Sequence, residues 1–442
     1  MNSKTMVQAD GEAMYRKILW HILPFILLAY FVCYIDRVNI GFAKLQFLGD
    51  LHLTDANYGF ATGLFFVTYS LFDMPSNFML TRIGVRKTMM RIMVIWGLIT
   101  AAQMLIRTAG QLYLVRLLFG AAEAGFLPGV MLYLTYWFPD RYRGRIAGLF
   151  LMGIPLSGII GGPLSGTIMQ GFNDVAGLRG WQWLFLLEGV PAVLMGVAAY
   201  FYLDDAPDKA RWLSAAEKQA LAAELAADRQ RDRGGAAARH GFFEFLGDPK
   251  VYAMALMNFA VNAAVNAVSF WTPTLLKSVG MVNFGAIGWL TGLISAIAAL
   301  AMVLVARNSD RTMERRWHFA LSGLLFAASF LALPLGAASV TMTTALLALA
   351  AIGGNCVLTV YWTIPTSYLR GGAAAGGIAA VSMVGAIGSG VSPSIIGWLK
   401  VETGSLYAGL AVIAAFMLVG VLLAWTSLSS GELRRRAAAE AA

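Results

Sequence analysis

Ile18-Leu-Trp-His-Ile-Leu-Pro-Phe-Ile-Leu-Leu-Ala-Tyr-Phe-Val-Cys-Tyr-Ile-Asp-Arg-Val-Asn-Ile-Gly-Phe-Ala43 is apolar for most of its length and carries two formal charges, Asp36 and Arg37. A hydrocarbon core about 30 Å thick needs roughly 20 such residues in a helix, so the stretch reads as a transmembrane span. It is too long for the apolar core of a signal peptide, and the first 17 residues before it are polar. Similar blocks follow near 57–80, 88–107, 111–137, 145–169, 181–203, 250–276, 283–306, 317–336, 341–366, 372–398 and 403–427, which makes twelve spans. The composition agrees. Over 442 residues the chain is 58% hydrophobic and 13% charged, with mean hydropathy +0.67. A water-soluble protein of that length would need far more polar surface.

The net charge of +9 reports orientation. Of 33 Lys and Arg, 26 fall in the N-terminus, the even-numbered loops and the C-terminus. That bias follows the positive-inside rule and places both termini in the cytoplasm. It gives no reason to expect a nucleic-acid partner. Cys33 and Cys356 both lie inside spans, so no disulfide framework is implied. Nothing resembles a nucleotide-binding P-loop, so an ATP-driven pump is unsupported. No catalytic constellation is visible, which speaks against an enzyme. No cofactor is expected beyond a coupling proton, and His21, His52, His240 and His318 have no metal-ligand company.

A polar segment, 204–249, separates an N-terminal six-span bundle (1–203) from a C-terminal one (250–442). Within it, Ser214-Ala-Ala-Glu217 reads as a capping box opening a solvated, Ala-rich helix up to Arg233. The two halves repeat each other at a spacing of 225–230 residues. Arg82-x3-Arg86-Lys87 answers to Arg311-x3-Arg315-Arg316. Tyr136-Trp137, Pro139 and Arg143-Gly144 answer to Tyr361-Trp362, Pro365 and Arg370-Gly371. The glycines of span five (Gly158, Gly161, Gly162, Gly166) answer to Gly388, Gly390 and Gly397 of span eleven. Duplicated six-helix units are what alternating-access carriers are built from, with substrate bound between the halves at mid-membrane. Small residues at these positions let helix backbones approach closely. The basic loops beside Asp310 and Arg311 offer ion pairs that hold one state closed, or serve topology alone.

Charges inside a span are costly, and they usually pair or line a watery path. Span one holds Asp36 and Arg37; span four holds Arg116 and Glu123. Two acids and two bases allow mutual pairing. At about 1.5 Å per residue, Arg116 falls near the outer end of span four and Glu123 about two turns deeper on the same face. Asp36 and Arg37 fall between them. A guanidinium matches a carboxylate in shape, so Arg37 is a natural anchor for an anionic substrate. Desolvation lets a buried carboxyl hold and release a proton near neutral pH, and Glu123 is the better carrier because Asp36 adjoins an arginine. The alternative is a pair of static salt bridges that lock helix one to helix four. Asn258, Asn262 and Asn266 form a polar stripe on span seven. Asn355 and Thr359 share a face of span ten with Trp362, whose ring can stack on a substrate. Each of these can instead bond across helices without touching ligand.

Tyr34-Ile-Asp-Arg-Val-Asn-Ile-Gly-Phe-Ala43 resembles the anion:cation symporters of the major facilitator superfamily. The likeness continues in Pro75-Ser-Asn77, in Arg116-x3-Gly120-x2-Glu123-Ala-Gly-x2-Pro128-Gly129 and in Trp137-Phe-Pro139. It also covers Gly180-Trp-Gln-Trp-Leu-Phe-x2-Glu188-Gly189 and Ser309-Asp310-Arg311. The resemblance implies an all-α major facilitator fold of two six-helix pseudo-repeat bundles, acting as a monomer in a bacterial inner membrane. It implies proton sites at Asp36 and Glu123, substrate contact by Arg37 and Tyr69, and a gating role for Arg116. Where sugar-acid carriers of this group place Gln and Asn against substrate hydroxyls, this chain has Ile154 and Ser382. A site without those amides discriminates against a polyol. Gly153-Ile-Pro-Leu-Ser-Gly158 resembles carriers for tartrate, phthalate and hydroxyphenylacetate. The expected function is therefore proton-coupled uptake of a small or aromatic carboxylate. A sugar-acid symporter and an anion exchanger or facilitator of the same fold remain the alternatives.

Overall fold

The computed structural model describes residues 3–235, 247–369 and 372–427, and contains no strand among them. Arg370 and Gly371, half of one repeat signature, lie outside the described residues, as does His240. In chain order the first half comprises α1 (Ser3–Val38), α2 (Ile40–Asp50), α3 (Asp55–Ile83), α4 (Val85–Ala102), α5 (Ala109–Glu123), α6 (Phe126–Trp137), α7 (Asp140–Leu151), α8 (Gly153–Gly171) and α9 (Gly180–Tyr202). The connecting helix is α10 (Ala215–Gly235). The second half comprises α11 (Pro249–Ser278), α12 (Phe284–Thr312), α13 (Arg316–Ala332), α14 (Val340–Tyr368), α15 (Gly372–Thr403) and α16 (Leu406–Ser427).

Eleven segments among the described residues are long and apolar enough to cross a membrane, and the expected second span is not one of them. That segment is α3, which at 29 residues extends for about 43 Å and so has the length. Its polarity has a structural reason. Phe60, Val67, Leu71, Met74 and Phe78 point outward, while Thr62, Thr68, Ser76 and Asn77 turn toward neighbouring helices. A helix wedged between the two bundles need not be apolar all round.

Three spans of the first half are broken. α1 and α2 meet at Asn39, α5 and α6 at Ala124-Gly125, and α7 and α8 at Met152. Gly125 has φ +84, a left-handed conformation that only glycine adopts cheaply. Its Cβ would also fall 2.4 Å from the Ser76 hydroxyl. The break comes directly after Glu123, so span four is discontinuous at its buried acid. Irregular backbone at such a depth is tolerated where protein or a cavity surrounds it, and here the Gly125 N–H is satisfied by Asp73 Oδ1 at 3.1 Å.

The halves meet along two seams, α8 against α12 and α3 against α15. Both are glycine-lined: a Cβ on Gly288 would sit 2.3 Å from the Gly162 carbonyl, and one on Gly59 would sit 2.3 Å from the Pro393 carbonyl. Hydrogen bonds joining the halves cluster at the end that carries the odd-numbered loops. Lys400 donates to Asp55 at 2.6 Å, Tyr58 to the Phe270 carbonyl at 3.2 Å, and Ser394 to the Gly59 carbonyl at 3.1 Å. Lys277 reaches the Leu45 carbonyl. Lys44 shares Asp55 with Lys400 while its ammonium lies 3.3 Å from the Trp271 ring centroid. The two halves are closed against each other at that end.

The connecting helix departs from expectation. Ser214 and Glu217 do form the capping box, with the Ser214 N–H donating to Glu217 at 2.7 Å and the Glu217 N–H to Ser214 Oγ at 3.2 Å. The helix is not solvated all round, however. Leu221 and Leu225 are buried, Tyr15 and Arg141 hold Glu224 at 2.7 and 2.5 Å, and Lys17 holds Glu217 at 3.0 Å. Leucines spaced four apart in an alanine-rich sequence give it a narrow apolar stripe, and that stripe docks on the first bundle.

Candidate functional site

Glu123 is the last residue of α5 and Arg37 lies in the last turn of α1, so the two helix ends deliver opposite charges to one place. They form an ion pair: Arg37 Nε donates to Glu123 Oε1 at 3.0 Å and Nη2 donates to the same oxygen. Cys33, one turn earlier on α1, also points its thiol at Oε1, at 3.3 Å. An arginine suits the negative end of a helix dipole, whereas a carboxylate there needs a cation to answer it. The guanidinium is further packed against three rings, those of Tyr34, Tyr69 and Phe65, with centroids 5.0, 5.1 and 5.5 Å away. Glu123 is sealed, with 1% of its side chain accessible, while Arg37 retains 15%. The arginine is therefore the member of the pair that an incoming anion can reach.

The other two charges do not complete a second pair. Asp36 points away from Arg37, toward α4, and accepts from the Trp96 indole N–H at 2.9 Å. Neighbouring residues on a helix diverge by about 100°, so Asp36 and Arg37 cannot share a face. Arg116 is fully buried and none of its three guanidinium nitrogens has a hydrogen-bond partner. It rests against the rings of Phe65 and Phe119, at 4.9 and 5.1 Å. Mutual pairing of the four charges is thus realised once, between Arg37 and Glu123.

A cavity of about 100 Å³ opens between the halves beside this pair. Tyr34, which packs on Arg37, forms part of its wall, with Ile154, Ser157, Ser269, Thr272 and Asn355 among the other lining residues. The wall is mixed: the aromatic groups come from the first half and the one amide from the second, while both halves contribute aliphatic groups and hydroxyls.

The remaining expected residues scatter. Asn262 and Asn266 belong to a ladder, in which Asn258 donates to the Val381 carbonyl at 2.9 Å, Asn262 to Asn258 Oδ1 at 2.8 Å, and Asn266 to Ser389 Oγ at 3.1 Å. The ladder ties α11 to α15. Thr359 donates to the Asn355 carbonyl at 3.0 Å, and the half-buried Trp362 ring packs edge-on against Tyr361. Ser382 is exposed and does not line the cavity, whereas Ile154 does. Asp310 pairs with Arg315 at 2.7 Å within its own half, and Arg311 is exposed beside it. Sequence reasoning passed over Tyr34, although it stands one turn before Arg37, and over Ser269 and Thr272, which continue the α11 face that Asn266 begins.

The Major Facilitator Superfamily model matches residues 26–393. The chain belongs to that superfamily. Members are membrane transporters, so this is a multi-pass transporter and not an enzyme. It is 42% identical over 412 residues to the putative metabolite transport protein NicT of Pseudomonas putida, covering 93% of this chain and 94% of that one. It is 41% identical over 419 residues to a putative tartrate transporter of Agrobacterium vitis, covering 95% and 92%. Among solved structures, the inward-facing, occupied form of a bacterial homologue of the human lysosomal transporter Spinster superposes with a TM-score of 0.77 at 18% identity. That likeness covers 93% of this chain and 97% of the other.

Proposed function

We propose that this transporter takes up a small or aromatic organic carboxylate together with protons across a bacterial inner membrane, working as a monomer with both termini in the cytoplasm. The observation that carries the reading is the Arg37–Glu123 pair at the edge of the central cavity. One planar guanidinium has one fork to offer a carboxylate. While Glu123 is ionised it occupies that fork. A proton on Glu123 releases Arg37, and the substrate carboxylate takes its place. Substrate and proton then bind together and leave together, which is the condition for symport. Tyr34 and Tyr69 hold the guanidinium in place through either partner.

The substrate class is supported by Ile154 in the cavity wall, where an amide would serve a polyol, and by the name of the 41%-identical tartrate transporter. Basic residues gathered in even-numbered loops support the orientation. The test is purified protein in proteoliposomes with an inward proton gradient, offered tartrate, phthalate, hydroxyphenylacetate and galactonate in parallel. Symport acidifies a weakly buffered lumen when substrate is added; an exchanger or facilitator leaves lumen pH unchanged. Strong preference for galactonate overturns the reading of Ile154 and Ser382.

A further inference from the structure

Glu188 of α9 belongs to neither the ion pair nor the cavity, yet it is a second buried carboxyl behind Asp36. It accepts from Ser165 Oγ at 2.9 Å, and its Oε2 has no partner. Asp36 accepts from Trp96 at 2.9 Å, and its Oδ1 likewise has none. Glu188 and Glu123 both lie close enough to Asp36 to act on its charge. Two further fully buried polar side chains face this pocket without satisfying themselves. Asn39 lies beside Glu188 with both amide atoms unpaired, and Thr100 lies beside Asp36 with its hydroxyl unpaired. No lysine or arginine pairs with either acid among the described residues.

Two carboxylates cannot both stay ionised in such a place, because each is desolvated and each repels the other. At least one of the two must be neutralised. The groups that reach the acids are N–H and O–H donors, Trp96 and Ser165, which suit carboxyl oxygens and offer little to a metal cation. We propose that Asp36 and Glu188 share one proton across this pocket, making Glu188 a further proton-holding carboxyl of the transporter. The proton leaves one carboxyl oxygen for the other, Asp36 Oδ1 or Glu188 Oε2, so one O–H bond breaks as the other forms and no other bond changes. Titratable neighbours that face the pair are Glu123 of α5 and Cys33 of α1, while Arg37 of α1 points away to Glu123. α4 contributes Trp96 and Thr100, and α8 contributes Ser165, none of which titrates.

The proposal rests on the proton-coupled reading for its role in transport, and its test does not require transport. Infrared titration of the purified protein follows the C=O stretch of protonated carboxyls. Coupled acids lose their protons in two steps separated by more than about one pH unit. Glu123 is itself a proposed proton site, so the pair is read with Glu123→Gln in place: that variant is expected to show both steps, and adding Glu188→Gln or Asp36→Asn to it leaves a single step. An identical titration in Glu188→Gln and wild type overturns the shared proton. In proteoliposomes, Glu188→Gln is expected to keep uptake while its alkaline limb moves about one pH unit toward acid, since one of two like charges is gone. Loss of uptake that is equal at every pH indicates a structural role and overturns it as well. A two-step titration with no lumen acidification by the wild type sinks the symport reading alone.

Discussion

The first bundle buries Asp36, Arg116, Glu123 and Glu188 within its spans and half-buries Arg37, whereas the facing helices of the second bury Asn258, Thr272, Ser389 and Ser392. Both halves derive from one repeated pattern, and their seams are lined by glycine in the same way. The difference is that both halves share one shape, while among the described residues the charges buried deep in the spans lie on the first half. Ionisable groups that change partner must sit where helices are broken and donors are near, as at Ala124-Gly125 beside Glu123. Amide ladders fix one helix to another in a single register, which suits a wall against which the first half works.

The comparison breaks first at Glu123. Glu123→Gln is expected to lose pH-driven accumulation by on the order of 100-fold, the worth of a hydrogen bond between charged groups, while retaining substrate exchange. Undiminished uphill uptake would show that coupling does not reside in Glu123. Next in size are the seams. Gly288→Val places side-chain atoms on the Gly162 carbonyl, at a cost of about 1–3 kcal/mol to this closed arrangement. Labelling of a Phe270→Cys thiol from the odd-loop side should rise several-fold, and an unchanged labelling rate would mean that the seam does not hold the gate.

A smaller effect is expected in the amide ladder. Asn258→Ala leaves the Val381 carbonyl without its donor and should cost about 1–3 kcal/mol, seen as a lower melting midpoint at unchanged KM. A tenfold rise in KM would move the ladder from wall to binding site. The smallest concerns α10. The Glu217 carboxyl is held below its usual 4.5, chiefly by the Ser214 backbone N–H and also by Lys17. A depressed carboxyl contributes stability above its unfolded value and loses it as the pH falls through the folded one. Glu217→Gln should therefore make α10 more susceptible to limited proteolysis at pH 7, by less than about 1 kcal/mol. The difference from wild type should vanish in strong acid, and a difference that persists there would remove the charge as its cause.

Much of the fold was legible because a bilayer demands long apolar helices, and eleven of the twelve expected spans announce themselves in that way. α3 was read as a span from the apolar block at 57–80, although its polar residues weaken the hydropathy signal. The site was legible only as a set of residue types. Charges inside a span are visible in one dimension, but which face of a helix each occupies depends on where the helix breaks. Asp36 and Arg37 are adjacent in sequence and serve different neighbours, Trp96 and Glu123, and no spacing rule separates them.

The sequence by itself determined the membrane spans, the duplication and four of the charges inside them, because each follows from composition along a line; Glu188, within the sixth expected span, was passed over. The tertiary structure decided which charges meet. Packing α1 against α4, α5 and α9 turned two acids and two bases into one ion pair, one arginine without a hydrogen-bond partner, and one aspartate beside Glu188. It also turned the asparagine stripe into a joint, since an amide facing another helix at bonding distance is satisfied there before any ligand arrives. Pair formation depends on distances of about 3 Å between side chains nearly 90 positions apart, and those distances exist only once the helices have packed.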